Sequence, residues 1–462
     1  MPADRIDTAE ALSRRVALRK SSMEAAACYT LFKLMTAPEA EAQALFRALR
    51  LDQLAPLPPD DAAIPVHEAL DQAAAALAAD DHPAVLASLH RAIRSFVAVG
   101  DAGDAGQLGA LAAEVFDRFA RQSRWPMDHL LSLLLGLISH IAEDRRSDAA
   151  HLSRIVLHNI SNGAVNDVVG AVSRRARPPR PGLGGPGLLG LDRPGQRERI
   201  QADLEHGGYH VFDRRVPAET VAALRRFAET VEAVPFRDGR YQEGERAVYA
   251  EAGARYPAYY IRHQDILDQQ PIQRLLADRS LLAVAQDYFG GLPEFTQVNM
   301  WWSLPHADAE AVDELAQAYH FDMDWWRFLK FFILLTDVDA DSGAHSYVRG
   351  SHRAGSKPEA LLAKGDYVRI TDAEIAAHYG ADDLVSVRAP AGTIFAGDTR
   401  AWHKGLSPKT APRLILVLEF ANTLADGRTL PRLQLRADYD PAFRALVAEL
   451  PEAFSAFDIE AP

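Results

Sequence analysis

The sequence contains almost no cysteine: Cys28 is the only one among 462 residues. A single thiol excludes an intrachain disulfide and fits a reducing compartment. The first fifteen residues contain no apolar signal core. The most apolar helical pattern, at residues 129–142, is too short to span a bilayer. We therefore expect a cytoplasmic protein with no membrane partner.

Positive charge is also scarce, with 50 lysines and arginines against 63 acidic residues and a formal net charge of -13. Nucleic-acid binding needs a basic footprint for phosphate contacts, so we expect no nucleic-acid partner. Hydrophobic residues make up 48% and charged residues 24%, which is typical of a soluble globular protein. The length suits two domains.

The first domain, residues 1–175, is predicted to be an all-α accessory domain. Alanine and leucine recur at helical spacing in six segments separated by Pro- and Gly-containing turns, without a fixed repeat period. A bundle of this kind is expected to pack against a partner or its own copy, which gives a possible homodimer. His129, His140, His151 and His158 fall on these helices, and we interpret them as ordinary surface or half-buried histidines.

A linker rich in Pro, Gly and Arg is predicted at residues 176–199. From residue 174 this stretch holds seven arginines against one aspartate and one glutamate. It would serve either as a docking strip for an anionic partner or as a hinge or strap on the acidic body of the protein. Because Pro and Gly separate the arginines, we favour the hinge or strap.

The second domain, residues 200–462, is predicted to contain many short strands with few helices between them. Such a pattern favours a double-sheet jelly roll over βαβ units, and the whole chain is then α+β. Strands are expected at 209–213, 295–302, 318–322, 328–335, 384–388, 392–395 and 413–422. Helices are expected at 199–206, 217–231, 266–288 (broken near Pro271) and 441–457.

His320 and Asp322 are the leading candidates for metal ligands. In a strand, residues two apart project to one face, so an imidazole and a carboxylate would lie side by side. Two other His-x-Asp triplets occur, and His263/Asp265 is the stronger rival because His306/Asp308 enters an acidic run. We favour His320 because a strand, a Ser-Gly turn and a distal histidine follow it.

His403 is the expected second imidazole, since it lies between a Gly-Asp turn and a strongly β-type strand. His345 and His352 compete with it, and His352 is expected to stabilise its loop by side-chain hydrogen bonds. Two histidines and one carboxylate with open positions opposite them form the ligand set of a non-haem Fe(II) oxygenase.

Four further polar residues are candidates for binding a co-substrate. Arg413 lies ten residues after His403, and its guanidinium can hold a carboxylate through two parallel bonds. Gln297 and Asn299 share one strand face. Lys330 lies within an apolar strand and needs a buried partner, either a co-substrate or an aspartate. The aromatic candidates for a substrate pocket are Trp302, Trp325, Tyr319 and Trp402, although such residues more often form core.

This ordered set resembles the phytanoyl-CoA dioxygenase family of Fe(II)- and 2-oxoglutarate-dependent oxygenases. The matching features are His320-x-Asp322, the segment from Asp341 to His352 with its Gly-Ser-His turn, Gly397-Asp398 ahead of His403, and Arg413. The resemblance begins near Leu204 and covers roughly the last 260 residues. Ile415 departs from the small polar residue that many relatives carry there.

The resemblance implies a double-stranded β-helix (cupin-like jelly roll) that binds Fe(II) through His320, Asp322 and His403. It also implies that 2-oxoglutarate pairs with Arg413 and that O2 is consumed to give succinate, CO2 and a hydroxylated small molecule. Related halogenases lack the carboxylate, so Asp322 favours hydroxylation, desaturation or ring formation. A non-catalytic binding protein on this scaffold is an alternative, as is a dioxygenase that does not use 2-oxoglutarate.

Overall fold

The computed structural model describes most of the second half of the chain and a few residues ahead of it. Described are Gln72, Ile155, His158, 162–163, 166–167, Gly170, Arg174, 177–185, 187–238, 240–306, 317–362, 369–422 and 432–459. The predicted helical domain, with His129, His140 and His151, therefore falls almost wholly outside the described residues. So does Asp308.

The described chain has a mixed α/β architecture in which most strands pair antiparallel. The helices are α1 Gln196–Gly207, α2 Ala218–Thr230, α3 Tyr249–Ala252, α4 His263–Leu267, α5 Gln270–Leu276, α6 Arg279–Phe289, α7 Glu359–Leu362, α8 Asp372–Ala376 and α9 Pro441–Glu449. The strands are β1 Tyr209–Arg215, β2 Glu232–Arg237, β3 Arg240–Tyr241, β4 Ala247–Val248, β5 Ala258–Ile261, β6 Glu294–Ser303, β7 Phe328–Leu334, β8 His345–Val348, β9 Leu384–Val387, β10 Thr393–Gly397, β11 His403–Gly405, β12 Arg413–Ala421, β13 Leu433–Leu435 and β14 Phe457–Ile459.

A large sheet and a small sheet face each other. The large sheet runs in the order β1-β10-β7-β12-β6-β5-β2-β3, and the small one in the order β11-β8-β9. One apolar cluster joins them, with Phe332, Phe395 and Val417 from the large sheet and Tyr347 and Val387 from the small one. The two inner faces therefore enclose a shared interior, and the polar candidates lie at its margins.

The outer face of the large sheet is covered by helices. Alternation along the strands explains this arrangement: in β12, Leu414, Leu416 and Leu418 face the helices, whereas Ile415 and Val417 face the small sheet. Leu224 of α2 and Leu282 of α6 belong to the helix-facing core. Apolar packing therefore attaches these helices to the outer face of the large sheet.

Several predicted elements need correction. The expected strand at 318–322 is not a regular strand; it makes isolated bridges, Tyr319 to Ile370 and His320 to His403. The expected helix at 266–288 is broken near Pro271 as predicted, since α4 ends before Pro271 and α5 has it in its first turn, but a second break separates α5 from α6. The expected helix at 441–457 ends at Glu449, and β14 follows it.

The arginine-rich stretch lies against the body of the protein. The Arg177 guanidinium is 2.7 Å from the fully buried carboxylate of Glu294. Arg197 forms a fork with both oxygens of Asp287, with distances of 2.7 and 2.6 Å. These contacts fit the strap interpretation for the described part of the stretch. None of the described helices is both long and apolar enough to cross a membrane.

Gly397 tests how closely the two sheets approach. A Cβ built on Gly397 would lie 2.0 Å from the Tyr347 hydroxyl of the small sheet. We expect Gly397→Ala to lower the free energy of unfolding by about 1–3 kcal/mol, because overpacking must move the Tyr347 ring. Gly244→Ala is the control, since nothing lies within 4 Å of its Cβ position. Equal denaturation midpoints for the two variants would contradict this account.

Candidate metal centre and co-substrate site

His320 and His403 lie side by side because their backbones pair. The His320 amide donates to the His403 carbonyl at 3.0 Å, and the His403 amide donates to the His320 carbonyl at 2.8 Å. Residues directly opposite in an antiparallel bridge project to the same face. The two rings accordingly lie with their centroids 4.3 Å apart. Asp322 projects to this face as well, and its amide donates to the Thr399 carbonyl at 2.8 Å.

The tautomers of both imidazoles follow from their hydrogen bonds. His320 Nδ1 lies 3.0 Å from the Ala318 carbonyl, and His403 Nδ1 lies 3.0 Å from the Ala401 carbonyl. A carbonyl only accepts, so each Nδ1 carries a proton, and each Nε2 is the nitrogen that faces Asp322. Burial, and next the neighbouring His403, hold the pKa of His320 well below its usual range, so this ring is neutral. A backbone carbonyl on Nδ1 is the arrangement that orients metal-binding histidines.

The three side chains fit a small dication. His320 Nε2 lies 3.5 Å from Asp322 Oδ1, and His403 Nε2 lies 3.4 Å from Asp322 Oδ2. Neighbouring ligands about 2.1 Å from one ion lie about 3 Å apart, so only a small contraction is needed. Among the described residues these three are the group of histidine, cysteine and acidic side chains close enough to share an ion.

Lys330 is fixed by carboxylates. Its ammonium lies 2.7 Å from Asp322 Oδ2, 2.6 Å from Asp324 and 3.6 Å from Glu419. Burial alone would lower the pKa of Lys330, but these carboxylates outweigh it and raise the pKa well above its usual range. Burial likewise opposes ionisation of Asp322, yet Lys330 and His403 hold its pKa well below the usual range. Lys330 thus meets an aspartate, one of the two partners expected for it.

The sequence analysis missed Asp324 and Glu419. Glu419 pairs directly with Lys330 across β12 and β7, and burial, followed by Asp324, raises its pKa to about 8. A usable signal was present: Glu419 is the one charge within the apolar run of β12, as Lys330 is within β7. Opposite charges at single positions of two adjacent strands indicate a cross-strand pair.

Arg413 lies at the other end of the same sheet face. Its side chain is 5% exposed, donates to the Gly343 carbonyl, and donates to the Ser303 hydroxyl at 3.2 Å. Its Nε is buried without a hydrogen-bond partner, and no carboxylate of the described residues forms an ion pair with it. Burial lowers the pKa of this guanidinium to about 10. A buried guanidinium without an ion-pair partner favours the binding of an anionic ligand.

His345 occupies the space between the metal ligands and Arg413. Its ring stacks at 5.4 Å on His403, and its backbone pairs with Gly405, whose Cβ position is 3.1 Å from the Arg413 guanidinium. The buried His345 Nε2 has no partner among the described residues. His345 is therefore not grouped with the metal ligands, but its free nitrogen lies beside the path from His403 to Arg413.

The comparisons with known proteins agree with this site. The sequence model of the family described as phytanoyl-CoA dioxygenase (PhyH) matches residues 204–412. This part of the chain is a PhyH domain. The protein is accordingly a non-haem iron dioxygenase that depends on 2-oxoglutarate, with iron and 2-oxoglutarate as its cofactors. The match begins at the predicted Leu204 and ends one residue before Arg413, so the role of Arg413 rests on its geometry.

Solved structures similar to the chain have low identity to it. The α-ketoglutarate-dependent epimerase SnoN from nogalamycin biosynthesis has 20% identity over 50% of this chain and 84% of its own, with a TM-score of 0.35. HygX from Streptomyces hygroscopicus, with nickel and 2-oxoglutarate bound, has 14% identity over 53% and 93%, with a TM-score of 0.37. EctD from S. alaskensis, with bound Fe, has 20% identity over 53% and 83%, with a TM-score of 0.34. No curated protein matches the chain.

The two predicted amides of the PhyH domain lie on its inner sheet face. Gln297 and Asn299 are half-buried, and Asn299 accepts a hydrogen bond from the Tyr260 hydroxyl. Gln297 pairs with Glu419 and Asn299 with Val417 across β6 and β12. The amides therefore lie between the Lys330 group and Arg413.

The four predicted aromatic residues separate into two sets. Trp325 donates from Nε1 to Glu419 at 3.0 Å and so lies beside the Lys330 group. Trp302 lies on the helix-facing side of β6 and donates to the Ala228 carbonyl at 3.0 Å, and Tyr319 and Trp402 pack in a cluster behind the metal ligands. A substrate-pocket role is therefore not supported for Trp302, Tyr319 or Trp402, because alternation directs them away from the inner face.

The rival histidines of the PhyH domain have other partners. His263 Nε2 lies 2.6 Å from the Tyr260 hydroxyl, and His306 Nε2 lies 3.2 Å from the Gln317 amide oxygen. His352 is buried against Gly208. The loop that contains His352 is held by Ser351, whose hydroxyl donates to the Val348 carbonyl at 2.7 Å and accepts from the Trp402 amide at 2.8 Å.

A buried ion pair shapes the turn ahead of His403. The Arg400 guanidinium grips both oxygens of Asp398, and Arg400 and Asp398 are 3% and 0% exposed. Burial alone would raise the pKa of Asp398, but Arg400 outweighs it and holds the pKa well below the usual range. The Gly-Asp turn found in the sequence is thus stabilised by an ion pair within the turn, and this clamp sets the position at which β11 begins.

Arg400→Met tests the clamp through pH. The depressed pKa of Asp398 makes a contribution to stability that is present above the unfolded pKa of about 4 and is lost as pH falls below it. Without Arg400 the carboxylate is buried unpaired, which costs about 3–5 kcal/mol of unfolding free energy at pH 7. We expect this deficit, measured by urea unfolding, to shrink markedly at pH 4. A deficit independent of pH would show that the lost interaction is not ionic.

Proposed function

We propose that this PhyH-domain protein hydroxylates an unactivated C–H bond of a small-molecule metabolite, with release of succinate and CO2. The observation that carries the proposal is the convergence of two imidazole Nε2 atoms and one carboxylate, with Arg413 buried on the facing sheet without an ion-pair partner among the described residues. His320, Asp322 and His403 would hold Fe(II), and Arg413 would hold the distal carboxylate of 2-oxoglutarate. Desaturation or ring formation is the alternative outcome at the same carbon.

The two facing sheets support a double-stranded β-helix for this domain, which we propose to span residues 200–462. In it the large sheet supplies Arg413, Gln297, Asn299 and Lys330, whereas the small sheet supplies His403. Residues 176–199 would connect it to the predicted helical domain, through which the protein would form a homodimer. We also propose a cytoplasmic location.

The side chains of the site are arranged to bind the metal ion and 2-oxoglutarate and to exclude water. The His320 imidazole is neutral and needs no deprotonation before it binds a metal, and Lys330 keeps Asp322 ionised. The iron, when bound, supplies O2 activation together with 2-oxoglutarate. The protein directs the co-substrate with a fork at Arg413, and apolar residues such as Phe332 and Val417 keep water from the interior.

Trp325 and Asp324 lie beside the Lys330 group, at the end of the sheet face away from Arg413, and the amides of Gln297 and Asn299 lie between the two ends. This margin is polar and partly exposed, because the Asp324 side chain is 31% accessible. We propose it as the substrate entrance. It supports a substrate that offers hydrogen-bond donors and excludes a purely hydrocarbon one, since buried polar groups left unpaired are costly.

The first experiment is an anaerobic titration with Fe(II) and 2-oxoglutarate that follows the visible charge-transfer band of the chelate. We expect the band in the wild type and its loss in His320→Ala, and Asp322→Ala should abolish hydroxylation at matched iron loading. The control is His206→Ala, which removes an exposed histidine from the end of α1. A folded wild type without the band would favour the non-catalytic scaffold, and retained turnover in Asp322→Ala would remove Asp322 from the ligand set.

Arg413→Ala separates 2-oxoglutarate use from other dioxygenase chemistry. Removing a buried fork should weaken 2-oxoglutarate binding about a hundredfold, with the Fe(II) dissociation constant unchanged. We also propose that His345 Nε2 forms a hydrogen bond with a 2-oxoglutarate carboxylate, so His345→Leu should weaken 2-oxoglutarate binding about tenfold. Arg226→Ala, at an exposed position of α2, is the control. Unaltered 2-oxoglutarate affinity in Arg413→Ala would contradict the assignment and favour a different co-substrate.

A further inference from the structure

Behind the metal ligands lies a layer of apolar side chains, including Phe321 and Trp402, that the proposed mechanism does not use. Tyr319, Phe321 and Met323 alternate with His320 and Asp322, so they project away from the metal face. Phe321, between the two ligands, meets the Trp402 ring edge-on at 5.2 Å. Trp402 in turn directly precedes His403. Any shift of this aromatic pair therefore moves ligands on both chain segments.

A residue from ahead of the PhyH match closes this layer. The ring of His158 lies 4.8 Å from the Phe321 ring, and His158 is completely buried. Burial, and next Lys357, hold the pKa of His158 well below its usual range, so the ring is neutral. A neutral imidazole packed on phenylalanine acts as a flat apolar surface with one hydrogen-bonding edge.

Asn166 fixes the orientation of His158 and ties it to the metal segment. The Asn166 amide donates from Nδ2 to the Trp326 carbonyl at 2.7 Å, and its Oδ1 lies 2.9 Å from His158 Nδ1. The amide oxygen must accept, so His158 carries its proton on Nδ1. Trp326 closes the short segment that leads from Asp322 to β7. The fully buried Asn166 side chain thereby connects Trp326, which follows the metal-binding segment, with His158, which packs against Phe321 within that segment.

A second asparagine of the same stretch holds the loop beneath Trp402. Asn162 donates from Nδ2 to the Lys357 carbonyl at 2.6 Å, and its Oδ1 accepts from the Lys357 amide at 3.1 Å. The Lys357 ammonium donates to the Ser351 carbonyl at 2.6 Å and lies 5.3 Å from the Phe321 ring. Two independent contacts therefore join residues 158–166 to the layer behind the ligands.

We propose that His158, Asn162 and Asn166, although they precede the PhyH match, form a positioning element of the metal centre. Asn166 and His158 hold Phe321, and Phe321 sets the spacing between His320 and Asp322. His158 is then a positioning residue and neither a metal ligand nor a surface histidine. The inference rests on the proposed metal site, and it assigns the preceding segment a part in the oxygenase that the family match does not give it.

The test measures metal binding by the full-length protein without turnover. Asn166→Ala removes the hydrogen bonds of the Asn166 side chain with the Trp326 carbonyl and with His158 Nδ1, and we expect Fe(II) to bind about tenfold more weakly under argon. The d–d absorption of bound Co(II), which reports ligand geometry, should shift. Gln273→Ala is the matched control, since that buried amide also bridges two backbone groups, Leu267 O at 3.0 Å and Asp440 N at 2.7 Å, on the helix side of the large sheet. We expect it to lose stability while metal binding stays unchanged.

A second pair of variants keeps the test decisive if Asn166→Ala does not fold. His158→Ala removes the ring and should weaken Fe(II) binding about tenfold, whereas His158→Phe restores a ring against Phe321 and should recover most of the affinity. Wild-type metal affinity and an unshifted Co(II) spectrum in folded His158→Ala or Asn166→Ala would overturn the inference alone. A wild type that binds neither metal would instead overturn the proposed metal site, and this inference with it.

Discussion

The site depends on one pair of backbone hydrogen bonds, those between His320 and His403. The two residues are far apart in sequence, and loop closure on this scale is entropically costly. The bridge fixes both Cα positions before any ion binds, and the carbonyls of Ala318 and Ala401 then fix both rings. Preorganisation of this kind means that metal binding does not have to order the ligands, so its free energy is not spent on folding the site.

Lys330 and Arg413 are two buried cations on one sheet face, but their partners differ: Lys330 has acidic partners and Arg413 has neutral ones. Lys330 is surrounded by Asp322, Asp324 and Glu419, and therefore cannot serve as a free anion receptor. Arg413 has only neutral partners, the Gly343 carbonyl and the Ser303 hydroxyl, among the described residues. The sequence presents both as single charges in apolar strands, and only tertiary pairing distinguishes a compensated charge from one that awaits a ligand.

The sequence predicted the residues of the site better than the elements that support them. The spacing of His320 and Asp322 and the turn before His403 depend on local alternation and turn chemistry, which can be recognised in the residues themselves. The partners Asp324 and Glu419 come from a loop and a distant strand, so their approach to Lys330 depends on register. Similarly, the helical spacing around His158 indicated a helix but not the Phe321 ring it meets. The strand expected at 318–322 is reduced to isolated bridges, from Tyr319 to Ile370 and from His320 to His403.

The net charge of the site connects these observations to the proposed reaction. Burial, followed by Asp324, raises the pKa of Glu419 to about 8, and the formal charges of the Asp322 and Asp324 carboxylates and the Lys330 ammonium add up to one negative charge. A dication would reverse that sign, and the two carboxylates of 2-oxoglutarate would reverse it again, leaving a deficit that the single charge of Arg413 cancels. Neutrality in a water-poor interior minimises the cost of desolvation. The isolated charge of Arg413 is thus explained by the loaded site, in which the co-substrate and the metal balance both ends of the same sheet face.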